Sequence, residues 1–217
     1  MTTIIQRTIT ALALGFLFWM ALIYLPPLYF SGILLFILLH ILIVEWRKLF
    51  PINRPLFWLL MPLYLLLPFS LLIALNHDPY YHDLLFVLFI LVSSYDTGSY
   101  LVGNIVGRHK IAPTISPGKT WEGALGGYIF ACLGLTAVLY ELKGKIAIAP
   151  ILIFTFTVCA LSLAGDLFES FLKRRARIKD TGGILPGHGG FLDRFDGIIF
   201  AVIFFYYFKE YIQQLFF

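Results

Sequence analysis

Apolar residues run through this chain in long blocks, and polar residues mark the ends of the blocks. The first, Thr8 to Leu25, stops at Pro26-Pro27, because proline cannot continue a helix. A second covers Leu28 to Val44, so the pair predicts a helical hairpin. A basic loop, EWRKLFPINRP at 45 to 55, leads into a third block from Leu56 to Leu75, which Pro62 and Pro68 are expected to kink. Beyond the short acidic loop NHDPYYHD at 76 to 83, a fourth block covers Leu84 to Val106, a fifth Ala124 to Tyr140 and a sixth Ile151 to Ser170. The seventh starts near Ile198 and ends in an aromatic tail, Phe204 to Phe208, that suits a membrane-interface belt. A helix crosses a bilayer in about 20 residues, so the pattern predicts an all-α integral membrane protein, a polytopic bundle of about seven transmembrane helices. N-terminal helices at 1–83 and a C-terminal region at 84–217 form one continuous membrane domain in this reading.

Composition agrees with the pattern. The chain has 217 residues, of which 60% are hydrophobic and 13% charged; a soluble domain carries about 25% charged residues. The first apolar run is long and has no small-residue cleavage site behind it, so it is expected to stay as a span. Cys132 and Cys159 both fall inside apolar blocks and read as small hydrophobes. His40, alone in the second block, reads as a packed or interface residue and not a ligand. The net charge of +4 does not point to nucleic acid, since the basic residues sit at the ends of apolar blocks as membrane topology demands. With a cytoplasmic N-terminus, Arg7 and the loops at 45–55, 107–123 and 171–196 are inside, which leaves only Lys143, Lys145 and Lys209 of the sixteen Lys and Arg outside. That asymmetry puts the polar loops, and any site they form, on the cytoplasmic face.

Polar residues that interrupt the apolar blocks carry the chemistry. Asp96 stands about 18 Å along the fourth helix, at about 1.5 Å per residue, where a buried carboxylate is costly and by default functional. Asp166 and Ser170, at i and i+4, share a face of the sixth helix. The loop GRHKIAPTISPGKTWEG at 107–123 offers Ser116 and Lys119. Its Lys-Thr pair is not a P-loop, because the upstream glycine spacing is missing and no strand is expected before it. The densest stretch is SFLKRRARIKDTGGILPGHGGFLDRFD at 170–196. Its cationic block, Lys173, Arg174, Arg175, Arg177 and Lys179, suits polyphosphate or anionic headgroups, or else is a solvated loop beside the membrane. His188-Gly189-Gly190 can turn consecutive N–H groups one way, as an anion-binding nest does. Asp193 and Asp196, at i and i+3 of the next helix, share a face on which two hard oxygen ligands can hold Mg²⁺.

This stretch closely resembles the signature of the phosphatidate cytidylyltransferases, or CDP-diacylglycerol synthases. The pattern is met by Ser170, Lys173, Arg174, Lys179, Asp180, Pro186, His188, Gly189, Gly190, Asp193, Arg194 and Asp196. YDTGSY at 95–100, the 107–123 loop and GDLFES at 165–170 also look like family segments in family order, so the resemblance covers about residues 90–200. The chain is shorter than most members, and Tyr95 stands where small or polar residues are commoner.

The resemblance implies a Mg²⁺-dependent reaction in which CTP and phosphatidate give CDP-diacylglycerol and pyrophosphate, run by a helical membrane bundle that is usually dimeric. It implies metal binding by Asp166, Asp193 and Asp196, with room for a second cation and Asp96 near metal or nucleotide. Lys119, Lys173, Arg174 and Lys179 would meet nucleotide phosphates, with Ser116, Ser170, His188, Gly189, Gly190 and Arg194 in the substrate site. His188 is not expected to be a general base, because the lipid phosphate is already ionised at neutral pH. The expected location is a bacterial inner membrane, among membrane lipid, with no nucleic acid partner. Open alternatives are a CTP-using membrane enzyme for another lipid, either an ether-lipid cytidylyltransferase or a polyprenol kinase, and an ion or phosphate transporter. A CDP-alcohol phosphotransferase would need a longer Asp-Gly…Gly…Asp…Asp pattern that is missing.

Overall fold

The computed structural model describes residues 15–143, 148–184 and 189–217. Among these, the helices are α1 (Gly15–Tyr24), α2 (Pro27–Leu49), α3 (Pro55–His77), α4 (His82–Val106), α5 (Trp121–Lys143), α6 (Ile148–Arg175), α7 (Leu192–Tyr207) and α8 (Lys209–Phe216). Between α4 and α5 lie two short strands, β1 (Lys110–Ala112) and β2 (Ser116–Thr120). Five helices, α2 to α6, are long and apolar enough to cross a membrane. The all-α membrane fold expected from the blocks is therefore present, and α1 and α7 are shorter apolar helices beside those five. The first seven residues of the expected first span, 8–14, lie outside the described residues. Large apolar side chains such as Leu28, Leu63, Ile105, Leu133 and Ile153 are exposed, as lipid-facing positions require.

The chain divides into two compact units, one of residues 1–79 with 172–195 and the other of 80–171 with 196–217. The structure divides at 79 and packs the signature stretch, 172–195, with the N-terminal helices.

In the first unit, α2 and α3 each begin with proline in the first turn, where the missing N–H has no helical partner to lose. Asn76 fastens the end of α3 to the start of α2, donating from Nδ2 to Pro27 O at 2.7 Å and to Ser31 Oγ at 2.8 Å. Both helices contain a π-helical turn, Ile41–Glu45 in α2 and Met61–Leu66 in α3. Pro62 cannot donate to an α-helical ladder, and Leu67 N–H reaches back five residues to its carbonyl, so the expected disturbance takes this form. Trp46, fully buried, stacks on Tyr64 at 6.0 Å and donates from Nε1 to Phe57 O at 3.2 Å.

In the second unit, α4 and α5 pack through small residues. A Cβ at Gly98 would meet Phe130 Cβ at 2.6 Å, and one at Gly127 would meet Tyr95 O at 2.5 Å. Such contacts let helix backbones approach closely in lipid, where dispersion and not water drives association. The same device joins α6 to α7, since a Cβ at Gly165 would strike Asp196 O and one at Gly197 would strike Ser162 Oγ. Two Asp-Gly pairs, read in opposite order along the chain, thus cross backbone to backbone. At the far end Phe154 packs edge-on against Phe216 at 5.0 Å, and Lys209 Nζ sits 4.5 Å from the rings of both Tyr81 and Tyr206.

The loop expected at 107–123 is partly a hairpin. β1 and β2 are antiparallel, with Lys110 opposite Thr120 and Ala112 opposite Ser116. A strand does precede Lys119-Thr120, contrary to expectation, so the exclusion of a P-loop rests on the glycine spacing alone. Thr120 Oγ1 caps α5 by accepting from Gly123 N at 3.1 Å. Glu122 ties the hairpin to that helix, accepting from Arg108 N at 3.1 Å and lying 2.5 Å from His109 Nδ1.

Candidate active site

The functional residues fall into two clusters, one in each unit. In the second unit, the crossing of α6 and α7 brings Asp166 and Asp196 together, and β2 delivers Lys119 to an ion pair with Asp166 Oδ2. Ser170, one turn beyond Asp166, donates to its Oδ1 at 3.4 Å. Burial alone would push the Lys119 ammonium down, but the carboxylates of Asp166 and Asp96 outweigh it and push the group up to about 12. Asp196 precedes the apolar run that begins at Ile198; burial, then the charges of Asp166 and Asp96, push it up to about 7. Three carboxylates thus act on one another around a single ammonium.

Lys119, Asp96 and Ser116 also line a cavity of about 230 Å³, together with Tyr95, Asn104 and Leu163. A ligand pocket starts at about 300 Å³, so this cavity suits part of a nucleotide and not the whole. Asp96, expected to be a buried carboxylate, is exposed at this wall.

In the first unit, the cationic block divides. Lys173, Arg174 and Arg175 form the last turn of α6, and the turn after it closes with Ile178 N on Lys173 O at 3.0 Å and Arg177 N on Arg174 O at 3.0 Å. This is a Schellman closure with Arg177, at φ 57°, in the left-handed position that usually holds glycine. Lys173 Nζ donates to Asp193 Oδ1 at 2.7 Å. Asp193 Oδ2 accepts from Gly190 N at 2.7 Å and Thr181 N at 3.2 Å, and Thr181 Oγ1, whose one proton it shares with Glu45, lies 3.0 Å away. Burial alone would raise the Asp193 pKa, but these donors, Lys173 foremost, hold it below the ordinary carboxylate value. Gly189 has φ +80°, and a Cβ there would stand 2.5 Å from Asp193 Oδ2, so glycine is required twice over. Arg174, Lys179 and Arg194 are exposed. Pro186 and His188 lie outside the described residues.

Sequence reading missed Glu45. It lies at the end of the π-helical turn of α2, fully buried, and its carboxylate accepts from Phe191 N at 2.8 Å, Leu192 N at 2.8 Å and Thr181 Oγ1 at 2.9 Å. A Cβ on Gly190 would come within 2.5 Å of it. The anion nest expected around Gly189 and Gly190 therefore holds two carboxylates of the chain itself. The available signal was an acidic residue closing the apolar run ILIVE, which counting it into a basic loop concealed.

Among the described residues, no three His, Cys, Asp or Glu form a ready metal cage. A closed cage is not what Mg²⁺ asks for, since it keeps several waters and takes one or two carboxylates plus substrate phosphates. The hard-oxygen set of Asp166 and Asp196, with its excess of negative charge, fits such an ion. Asp193 fits less well here, because its oxygens already accept from Lys173, Thr181 and Gly190.

A helical membrane protein whose helices gather carboxylates around an ammonium group carried by a short hairpin is the class these features define. The model of the cytidylyltransferase family matches residues 5–212, and the chain belongs to that family. It is 43% identical over 138 residues to a phosphatidate cytidylyltransferase of Haemophilus influenzae, covering 61% of this chain and 48% of that protein. It is 41% identical over 134 residues to one of Bacillus subtilis, covering 61% and 49%. With one of Staphylococcus aureus it shares 43% over 114 residues, covering 52% and 44%. The chain spans about half the length of the curated relatives it matches.

Proposed function

We propose that this chain is a phosphatidate cytidylyltransferase, joining CTP and phosphatidate to give CDP-diacylglycerol and pyrophosphate. The observation that carries the reading is the Lys119–Asp166 ion pair with Asp196 and Asp96 beside it, in a family whose similar members bear that activity in their names. A phosphate oxygen of the lipid forms a bond to the α-phosphorus of CTP as the bond to pyrophosphate breaks. The lipid monoester has its second pKa at about 6, so at neutral pH no base is needed to free that oxygen.

What the protein must supply is placement and positive charge. Lys119, held cationic by its carboxylate neighbours, faces the cavity where Ser116 can donate to a phosphate. Asp166 and Asp196 would hold Mg²⁺, with Asp96 nearby, and the ion would offset the charge of the phosphate oxygens. The exposed Arg174, Lys179 and Arg194 would supply further positive charge for nucleotide or headgroup, Lys173 would do so only on leaving Asp193, and Ser170 orients Asp166. The proposed setting is a bacterial inner membrane with these loops facing the cytoplasm, and the proposed assembly is a homodimer, which cross-linking in membranes would detect.

The deciding experiment mixes purified protein in detergent with Mg²⁺, phosphatidate and CTP labelled at either the α- or the γ-phosphate. α-Label in the lipid with release of pyrophosphate is the expected result. γ-Label in the lipid would make the protein a CTP-dependent lipid kinase. Phosphate or ion movement without pyrophosphate release would make it a transporter.

A further inference from the structure

We propose that Glu45, contributed by the N-terminal helix α2, is a positioning residue for the transfer reaction, acting through the signature loop and not on the substrate. Four observations meet at its carboxylate. It is fully buried, so leaving its partners unmatched would be costly. It accepts the N–H groups of Phe191 and Leu192 at the very start of α7, the ones a helix leaves unpaired. Thr181 Oγ1 stands between Glu45 Oε2 at 2.9 Å and Asp193 Oδ2 at 3.0 Å, so the two carboxylates share the single proton of one hydroxyl. Glycine at 190 leaves the space that the carboxylate fills.

Around the acid stand His40, whose Nδ1 is 3.2 Å from Oε1, and the Phe191 ring, which meets the His40 ring edge-on at 5.2 Å. Glu45 sits on a π-helical turn, and such turns in helices often mark functional positions. The turn adds a residue to the helical repeat, so it aims Glu45 where a regular helix would not. Glu45 thus fixes the loop end from which Asp193 projects, and Asp193 in turn holds Lys173.

The inference uses the proposed reaction for its kinetic arm only. Hydrogen exchange is measured on full-length wild type and Glu45→Gln in detergent, with steady-state kinetics on both. Gln keeps the volume and replaces one acceptor oxygen by a donor. Positioning predicts a fall in kcat of about 10- to 100-fold, the range a small misplacement of reacting groups costs, with the KM for CTP within about threefold. It also predicts faster exchange at Phe191 and Leu192 with the α4 and α5 amides unchanged. Unchanged kcat, a fall in kcat without faster exchange at 191–192, or a lower KM for CTP would each overturn the proposal; the last would mean that Glu45 competes with substrate for the nest. Should Glu45→Gln not fold, Thr181→Ser and Thr181→Val decide: the serine variant keeps the bridging hydroxyl and is expected to keep its kcat, and a valine variant equally active overturns the proposal. If wild type makes no CDP-diacylglycerol, the reaction assignment fails while the exchange arm still judges the loop.

Discussion

Lys173 Nζ and Asp193 Oδ1 lie 2.7 Å apart with both side chains almost entirely buried, so neither charge has water to fall back on. Removing one partner of a buried pair typically costs about 3 to 5 kcal/mol, because the other charge is left without its match. Lys173→Met is expected near the lower figure, since Asp193 keeps Thr181 and Gly190 as donors. A melting curve in detergent reads the loss, and Asp193→Asn made together with it should recover part of it.

The same pair sets an acid limit. Asp193 has a folded pKa below its unfolded value of about 3.9, so its stabilisation is fully present above that value and is lost as pH falls through the folded pKa. Wild type should therefore lose more of its melting temperature between pH 5 and pH 3 than Asp193→Asn does. Equal slopes would show that the carboxylate gains nothing from its donors on folding.

The membrane fold was legible because lipid demands continuous apolar segments, and α4 and α5 begin and end within a few residues of the blocks that predict them. The signature residues were legible as a group for a different reason: charge and glycine in a lipid-soluble chain stand out. Partnership was not legible. Asp193 and Asp196 share a helical face in sequence, yet Asp193 is bound by Lys173 and Thr181 while Asp196 is set against Gly165 and the charge of Asp166. Glu45 lies 146 residues from Phe191, a pairing that no local period announces.

Arg177 offers a test of backbone strain that leaves the site's carboxylates untouched. Its φ of 57° puts a side chain where an L-residue loses about 1 to 2 kcal/mol, whereas glycine costs about 0.5 to 1 kcal/mol elsewhere through its freer unfolded chain. Arg177→Gly should thus stabilise by roughly 0.5 to 1 kcal/mol, raising the melting temperature by about 2 to 4 °C per kcal/mol in a chain of this size. Arg177→Ala removes the same charge but keeps the Cβ, and should gain nothing. A gain in both variants would trace the effect to charge.

Asp166→Asn and Asp196→Asn each remove one hard anionic oxygen from the set around Lys119, and each is expected to reduce turnover at least about 100-fold, as loss of charge-stabilising groups does. Their effects on folding should differ in sign. Asp196 is held up at about 7 by burial and like charges, so its neutral replacement relieves repulsion and should leave the melting temperature unchanged or higher. Asp166 is paired with Lys119, so Asp166→Asn leaves a half-buried ammonium with less compensation and should lower it. Melting temperatures moving together in both variants would mean that the two carboxylates share one role.

Topology follows from the distribution of charge, because Lys and Arg resist transfer across the membrane and stay on the cytoplasmic side of short loops. Lys110 in the hairpin and Lys179 in the signature loop are both exposed, and the proposed topology puts both on the cytoplasmic side and His77, exposed at the end of α3, on the opposite side. Cys132 and Cys159 are free thiols and must first be replaced by Ala to give a clean background. Single cysteines at positions 110 and 179 should then react with a membrane-impermeant maleimide only in inverted vesicles, and one at position 77 only in right-side-out cells. The even number of spans between His77 and the outer face of α5, counted through α4 and α5, makes the test internally redundant: a cysteine at Glu141 must share the behaviour of position 77. Reaction of 110 and 179 from opposite sides would place the Lys119 and Lys173 clusters on different faces of the membrane, and no single pool of CTP could then serve both.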